Sequence, residues 1–159
     1  MKKIIKKKRK TKANLLDYEK TRKTFTWKQA EKLVEWKGKS LNIAYSIERH
    51  AQNKNANKIA LYWEGENKNK TLTFSQLSLL SNKFANILKN LEVKKGDRAF
   101  IFLPRVPELY VSFLGILKTG AIAGTMFAAF GPEGIRDRLE NSGAKALITD
   151  STLVKRVYK

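Results

Sequence analysis

The chain has 159 residues, 42% of them hydrophobic, which predicts one globular body of ordinary size rather than a disordered chain. It contains no cysteine, which excludes disulfides, zinc–thiolate sites and cysteine nucleophiles and fits a reducing, cytoplasmic location. The formal charge of +19 raises the possibility of a nucleic-acid partner.

The basic residues are unevenly distributed along the sequence. Residues 1–12 hold eight of the 33 lysines and arginines and no acid, whereas the other basic residues are spread over the expected helix faces and turns. We therefore expect a basic disordered tail over residues 1–12 and a solvated, lysine-rich surface elsewhere. The tail has no continuous apolar stretch, so no secretory signal is expected.

Residues 13–40 are predicted to form a peripheral arm, with a helix near Lys28–Trp36 and aromatic side chains that anchor it to a larger body. A second helix is predicted over Leu41–Gln52. It carries His50, the single histidine of the chain. Because the sequence offers this histidine no partner acid, serine or metal ligand, we expect a structural role for it.

A hairpin and a long amphipathic helix follow. Lys58–Glu64 and Thr71–Phe74 flank the polar turn GENKNK, the pattern of two antiparallel strands. The helix is predicted over Phe74–Leu91, with Leu77, Leu80, Phe84, Ile87, Leu88 and Leu91 on one apolar face. Thr73, followed three residues later by Gln76, has the pattern of a capping box.

The second half of the chain alternates between strands and helices. Its first strand, RAFIFL, is nearly continuously apolar, as expected for a strand that is buried on both faces of a parallel sheet. This alternation predicts an α/β fold with a doubly wound sheet and helices on both faces. The predicted elements are strand Arg98–Leu103, a helix from Pro107 to a cap at Gly120, strand Ala121–Phe127, a helix from Pro132 to a cap at Gly143, strand Ala144–Thr149 and a helix from Ser151.

One apolar segment has an alternative interpretation. Leu109–Phe130 comprises 22 residues with a single charge, Lys118, and is long enough to span a bilayer. Three glycines interrupt it, at positions 115, 120 and 124, and its periodicity changes near Lys118. A buried helix, a turn and a buried strand explain the segment better.

The sequence does not contain the common nucleotide-binding, catalytic and metal-binding motifs. GILKTGA, beginning at Gly115, has two glycines at P-loop spacing but lacks the lysine and hydroxyl that would follow. There is no dinucleotide fingerprint, no serine elbow and no histidine pair. Asp137 and Glu140 lie one helical turn apart among arginines, which indicates an exposed charged face. We therefore predict no catalytic residue and no metal ligand.

Several segments nevertheless resemble one enzyme family. GDRAFIFLPRVPELYVSFLGILKTG, over Gly96–Gly120, resembles the GDRV-x-I-x-x-P…PE…K-x-GA signature of the acyl-adenylate-forming ligases. LTFSQL matches their LTY-x-EL motif, and AIAGTMFAAFGPEGIRDRLENSGAKALIT resembles their next strand, helix and strand. DYEKTRKTFTW and LNIAYSIERHA are similar to the N-terminal extension of acetyl-CoA synthetases. The resemblance covers Asn14 to Val157.

This resemblance implies a function. Family members activate a carboxylate with ATP and Mg²⁺ to give an acyl-adenylate and pyrophosphate, and then transfer the acyl group to coenzyme A. Their ATP loop and C-terminal catalytic lysine would lie beyond Lys159. The resemblance thus implies that residues 41–159 are the incomplete N-terminal part of a doubly wound domain, from an acetate–CoA ligase whose remaining segments are its partner. We expect the chain alone to be inactive and to bind neither CoA nor ATP tightly.

The resemblance also implies candidate CoA-binding residues. In the family, CoA is approached by the loop after the second parallel strand and by basic residues after the third. Many acetyl-CoA synthetases have glycines where this loop has its two alanines. The alternative is that the basic pair only forms the solvated end of an unfinished helix. The candidate residues are Phe127, Ala128, Ala129, Lys155 and Arg156.

Two other functions are left open by the sequence. One is a non-catalytic binding or regulatory module with the same fold, paired with a separate chain that carries the ATP loop. The other is a basic nucleic-acid-binding protein, whose affinity would fall steeply with salt. If the chain is the ligase fragment, strands 98–103 and 121–127 are too apolar for open sheet edges. We then expect the isolated chain to aggregate and to be a truncated reading frame or a piece of a larger protein.

Overall fold

A computed structural model of the chain describes residues 15–33 and 41–158. The chain divides into two units, Met1–Leu41 and Asn42–Lys159. The predicted tail over residues 1–12 lies outside the described residues, as does Trp36. The domain boundaries expected from the sequence stay a prediction.

The first unit contains two short helices, α1 (Tyr18–Thr24) and α2 (Trp27–Leu33). Asp17 caps α1, since its carboxylate accepts a hydrogen bond from the Lys20 amide at 3.0 Å. Helix α2 corresponds to the predicted helix near Lys28–Trp36 and begins one residue earlier than predicted. The rings of Phe25 and Trp27 meet edge to face, with centroids 5.5 Å apart.

The second unit opens with helix α3 (Tyr45–Ala51), which is shorter than the predicted Leu41–Gln52. Asn42 explains the late start, because its side-chain carbonyl accepts from the Ala44 amide at 3.0 Å and fixes a turn there. Strands β1 (Ile59–Glu64) and β2 (Asn69–Thr73) then pair antiparallel, which confirms the hairpin. The second strand begins two residues earlier than predicted.

Helix α4 (Phe74–Asn90) begins at the predicted capping box. The Gln76 amide donates to Thr73 Oγ1 at 3.2 Å, and the Thr73 amide donates to Gln76 Oε1 at 2.9 Å. The predicted apolar face is partly wrong, because Ile87 and Leu91 are exposed. The buried stripe is instead built largely from small residues, and it comprises Leu77, Ser78, Ser81, Ala85 and Leu88.

Close approach to the next helix, α5 (Pro107–Thr119), explains this stripe. A Cβ atom placed on Gly115 of α5 would lie 2.7 Å from Phe84 Cδ1 and 3.0 Å from the Ser81 carbonyl oxygen. Small residues on both helices let the two backbones approach closely, so the contact runs along Ser81 rather than Ile87.

The remaining elements form a three-stranded parallel sheet of order β4-β3-β5. Gly120 and Gly143 end α5 and α6 in the left-handed conformation, with φ of 81° and 57°, as predicted for helix caps. The elements are β3 (Arg98–Phe102), β4 (Ile122–Thr125), α6 (Pro132–Ser142), β5 (Ala146–Thr149) and a 3₁₀ helix (Leu153–Arg156).

Strand β3 is the centre of the sheet and is covered on both faces. Ala99 and Ile101 belong to the core shared with α4 and α5, whereas Phe102 belongs to a second core with Ile135 of α6 and Leu153 of the 3₁₀ helix. Successive residues of a strand face opposite sides, so an uninterrupted apolar strand is what two covered faces require. The predicted doubly wound α/β architecture is confirmed.

Arg98 connects the beginning of β3 to the end of α6. Its Nε donates to the Ser142 carbonyl at 2.7 Å, and its Nη2 donates to the Gly143 carbonyl at 2.8 Å. The last carbonyls of a helix have no intrahelical partner, so a guanidinium at this position satisfies them. This contact fixes one end of α6 against the sheet.

The apolar segment 109–130 contains helix α5 and strand β4, as preferred from the sequence. No helix within residues 15–33 and 41–158 has the length and apolar character needed to cross a membrane. Strand β4 is shorter than the predicted Ala121–Phe127 because the chain turns after Met126.

Candidate functional site

The carboxyl ends of the three parallel strands lie along one edge of the sheet, which we call the carboxyl edge. In open α/β sheets ligands bind outside this edge, where the connections leave toward opposite faces. The chain leaves β3 for α5 on one face, whereas after β5 it enters the 3₁₀ helix, which packs on the other face. Besides the connection from β3 to α5, two others begin at this edge: the loop Phe127–Phe130 after β4, and the turn from Asp150 after β5.

Asp150 shapes the turn that carries the two predicted basic residues. Its Oδ1 accepts hydrogen bonds from the amides of Thr152 at 2.8 Å and Leu153 at 2.7 Å. A carboxylate in this position caps a helical turn that begins directly after it, and the Val154 amide donates to the Asp150 carbonyl at 2.9 Å. The 3₁₀ helix itself spans Leu153–Arg156, two residues later than the predicted start at Ser151. Leu153 is then buried in the core beside α6.

Arg156 joins this turn to the loop after β4. Its Nη1 donates to the carbonyl oxygen of Ala128 at 2.9 Å, across 28 residues of sequence. The methyl group of Ala128 is half-buried against the core that contains Met126 and Leu153. The structure therefore brings two of the predicted site residues into direct contact.

The other candidate residues lie on the same two connections and face solvent. Phe127 has 64% of its surface exposed, and its ring meets that of Phe130 edge to face at 6.0 Å. Ala129 and Lys155 are exposed. Within the described part of the chain, Lys155 has no hydrogen-bonding or ion-pairing partner, so its ammonium group is available to an anion.

A buried ion pair and its hydrogen bonds, which the sequence did not predict, lie between three helices. The Lys118 ammonium group of α5 donates to Glu48 of α3, to Ser81 Oγ at 2.7 Å, to Asn82 Oδ1 at 2.9 Å and to the Ser78 carbonyl at 3.2 Å, the last three on α4. Only 11% of the Lys118 side chain and 24% of the Glu48 side chain are exposed. The signal was a lone lysine in a 22-residue apolar segment, because a buried lysine requires a partner.

The protonation of Glu48 reflects this network. Burial by itself raises the pKa of its carboxyl group, but the hydrogen bonds from Lys118 and Ser78, together with the Lys118 charge, outweigh burial and lower the pKa below its ordinary value of 4.5. At neutral pH the Glu48 carboxyl group is therefore ionised. The Ser81 hydroxyl group is fully buried and donates a hydrogen bond to the Leu77 carbonyl. We therefore interpret this cluster as a structural contact that joins the three helices rather than as a reactive site.

His50, for which the sequence predicts a structural role, contacts an aromatic ring and an amide side chain. Its ring packs on Phe74 with centroids 4.8 Å apart, and its Nδ1 is 3.2 Å from Asn55 Nδ2. Asp137 and Glu140 are exposed. No group of three potential metal ligands is found among the described residues.

Comparison with known proteins establishes the family. The AMP-binding enzyme family matches residues 47–159, which include the whole sheet and the carboxyl edge. The chain belongs to this family. This match, together with 46% identity to an acetyl-coenzyme A synthetase, confirms the resemblance to AMP-forming acyl-CoA ligases and to acetyl-CoA synthetases in particular.

Curated relatives and a solved structure agree with this family. The chain is 46% identical to an acetyl-coenzyme A synthetase of Bacillus subtilis over 91% of its length, and 38% identical to a 3-hydroxypropionyl-coenzyme A synthetase of Sulfurisphaera tokodaii over 82%. It superposes on an acyl-CoA synthetase of Brucella canis with a TM-score of 0.81, at 28% identity and 89% coverage. The chain spans 26% of the Bacillus protein, 21% of the Sulfurisphaera protein and 26% of the Brucella chain.

Proposed function

We propose that these residues form part of an acetate–CoA ligase, in which the carboxyl edge contributes to the binding of coenzyme A. The complete reaction would convert acetate, ATP and CoA into acetyl-CoA, AMP and pyrophosphate. The observation that carries the proposal is the contact between Arg156 and the Ala128 carbonyl, since it unites the two connections that the family resemblance assigns to CoA.

The chemistry of the carboxyl edge suits this ligand. CoA combines several phosphate charges with an adenine ring and an amide-containing arm. Lys155 supplies an exposed ammonium group for a phosphate, and a charge-assisted hydrogen bond of this kind is among the stronger polar contacts. The exposed ring of Phe127 supplies an apolar surface for stacking on a base.

We assign the bond-forming steps to other parts of the ligase. Adenylation requires a site for ATP and Mg²⁺, in which the metal is bound mainly by substrate phosphates, water and one or two carboxylates. In this proposal the phosphate-binding loop and catalytic lysine belong to further segments of the ligase, which also choose the acyl group. A location in the cytoplasm, where ATP and CoA are supplied, is part of the same proposal.

Direct binding and activity measurements test the proposal. We expect the purified 159-residue chain to bind CoA weakly and to form no acetyl-CoA from acetate, ATP and CoA, as measured by liquid chromatography. Lys155→Ala is expected to weaken CoA binding by about fivefold, the effect of losing one exposed charge-assisted contact.

Lys145→Ala is the matched control, since Lys145 is also exposed but lies just before β5, at the opposite edge of the sheet. Equal effects of the two substitutions would show that only overall charge matters, and acetyl-CoA formation by this chain alone would contradict the assignment of chemistry to other segments. If the chain binds single-stranded nucleic acid with an affinity that falls steeply as salt rises, the alternative of a nucleic-acid-binding protein is favoured.

A further inference from the structure

We infer that Arg156 is a positioning residue, which holds the loop Phe127–Phe130 in the conformation presented at the carboxyl edge, while Lys155 is left to meet the anionic ligand. This inference rests on the proposed function for its ligand, CoA, but its structural part concerns this chain alone. It separates two neighbouring basic residues that the sequence could only treat as a pair.

The Phe130 end of the loop is held by its ring, which packs on the second core and lies 4.1 Å from the Arg138 guanidinium. The loop backbone supplies one turn, in which the Phe130 amide donates to the Phe127 carbonyl at 3.0 Å. From the core side, the Ala128 methyl group is held by packing. The Ala128 carbonyl then receives Arg156 Nη1 at 2.9 Å. The peptide unit after Ala128 is thus fixed from the core on one side and from the guanidinium on the other.

The anchor that carries Arg156 is itself rigid. Asp150 accepts two amide hydrogen bonds at the beginning of the 3₁₀ helix, and Leu153 is buried with only 7% of its surface exposed. Val157, directly after Arg156, also packs against the core beneath the loop. Because the backbone at both ends of the contact is already fixed, the remaining entropic cost of the contact is the ordering of the Arg156 side chain itself.

The two basic residues therefore have different roles. A guanidinium that donates to the loop backbone acts on a ligand through the position of that loop, whereas the exposed ammonium group of Lys155 acts through its charge. Direct charge contacts weaken with salt, because ions screen them, but the position of a loop does not depend on salt in this way.

Amide hydrogen exchange of the 159-residue chain tests the structural part. Arg156→Ala is expected to accelerate exchange at the Phe130 amide by about three- to tenfold, the effect of losing one hydrogen bond that restrains the loop. Arg156→Lys is expected to recover part of this protection, since an ammonium group reaches a carbonyl with less fixed geometry. Arg136→Ala is the control, because Arg136 is exposed on α6 and makes no hydrogen bond or ion pair within the described residues.

CoA titrations at low and high salt test the functional part. Arg156→Ala is expected to weaken CoA binding by a similar factor at both salt concentrations, whereas the loss in Lys155→Ala shrinks as salt rises. Unchanged exchange at Phe130 in Arg156→Ala, or a loss of affinity in that variant that disappears at high salt, would overturn the positioning role. If the unsubstituted chain does not bind CoA, the proposed function fails, and the exchange comparison still decides whether Arg156 holds the loop.

Discussion

The buried contacts of Lys118 with Glu48, Ser81 and Asn82 predict that this lysine contributes far more to the stability of the fold than an exposed lysine does. Lys118→Met removes the ammonium group but keeps most of the side-chain volume. It removes the charged partner of the Glu48 carboxylate, leaving the neutral side chains of Ser78 and Asn82 beside it, and it removes the Lys118 hydrogen bond to fully buried Ser81. Three helices, α3, α4 and α5, lose their common polar contact.

The magnitude follows from burial. Breaking a fully buried ion pair by removing one partner costs about 3–5 kcal/mol, because the other charge stays behind without compensation. Here 24% of the Glu48 side chain is exposed, so water can solvate part of the unpaired carboxylate. We therefore expect Lys118→Met to lower the free energy of unfolding by about 2–3 kcal/mol.

The hairpin supplies a matched control. Lys70 pairs with Glu108 at 3.2 Å, but their side chains are 46% and 61% exposed. Such surface pairs contribute little, so Lys70→Met is expected to cost less than about 0.5 kcal/mol. The two variants make the same chemical change and differ in the environment of the lysine.

Urea denaturation followed by far-ultraviolet circular dichroism measures both effects. Adding Glu48→Gln to Lys118→Met should cost less than the two single substitutions together, because the second change removes the charge that the first left unpaired; the coupling energy is expected to be about 1–2 kcal/mol. If Lys118→Met shifts the unfolding midpoint no more than Lys70→Met, the cluster around Lys118 does not stabilise the fold and this reasoning is wrong.

Three further predictions concern the same body. Because the pKa of Glu48 is lowered from 4.5, its stabilising contribution is complete above about that pH and is lost as pH falls through the folded-state pKa, so Glu48→Gln should flatten the dependence of the urea midpoint on pH in the acid range. Gly115→Ala should destabilise the chain by about 1–3 kcal/mol, because its Cβ would lie 2.7 Å from Phe84. Gly134→Ala in α6 should stabilise the chain by up to about 1 kcal/mol, because its Cβ would lie 3.5 Å from Arg138 Nη1, an ordinary contact distance. Thermal unfolding compares the two variants. Arg98→Lys should cost about 1–2 kcal/mol and accelerate amide exchange in α6, since one ammonium group cannot reproduce the two hydrogen bonds to the Ser142 and Gly143 carbonyls; unchanged exchange would contradict this.

Apart from the short helix α1, which was not predicted, the order and type of the described elements followed from local sequence. Gly120 and Gly143 end their helices where a left-handed residue was expected, and the Thr73 capping box begins α4 where the pattern placed it. These signals are read from the few residues around each helix end, since they concern backbone groups that the helix itself leaves unpaired. The apolar continuity of β3 likewise indicated a strand with two covered faces before any neighbour was known.

Tertiary structure decided which residues meet across the sequence. Ile87 and Leu91 fit the apolar periodicity of α4 but are exposed, because the close approach at Gly115 turned the helix toward its small residues. Lys118 and Glu48 are 70 residues apart, and Arg156 and Ala128 are 28 apart. The apolar surroundings of Lys118 indicated that it needs a partner, but no local pattern identified Glu48 as that partner or joined Arg156 to Ala128. The sequence therefore determined the elements and, through resemblance, the family. Only packing paired the buried lysine with its acid and separated Arg156 from Lys155, because long-range contacts depend on how helices and loops sit on the sheet rather than on spacing along the chain.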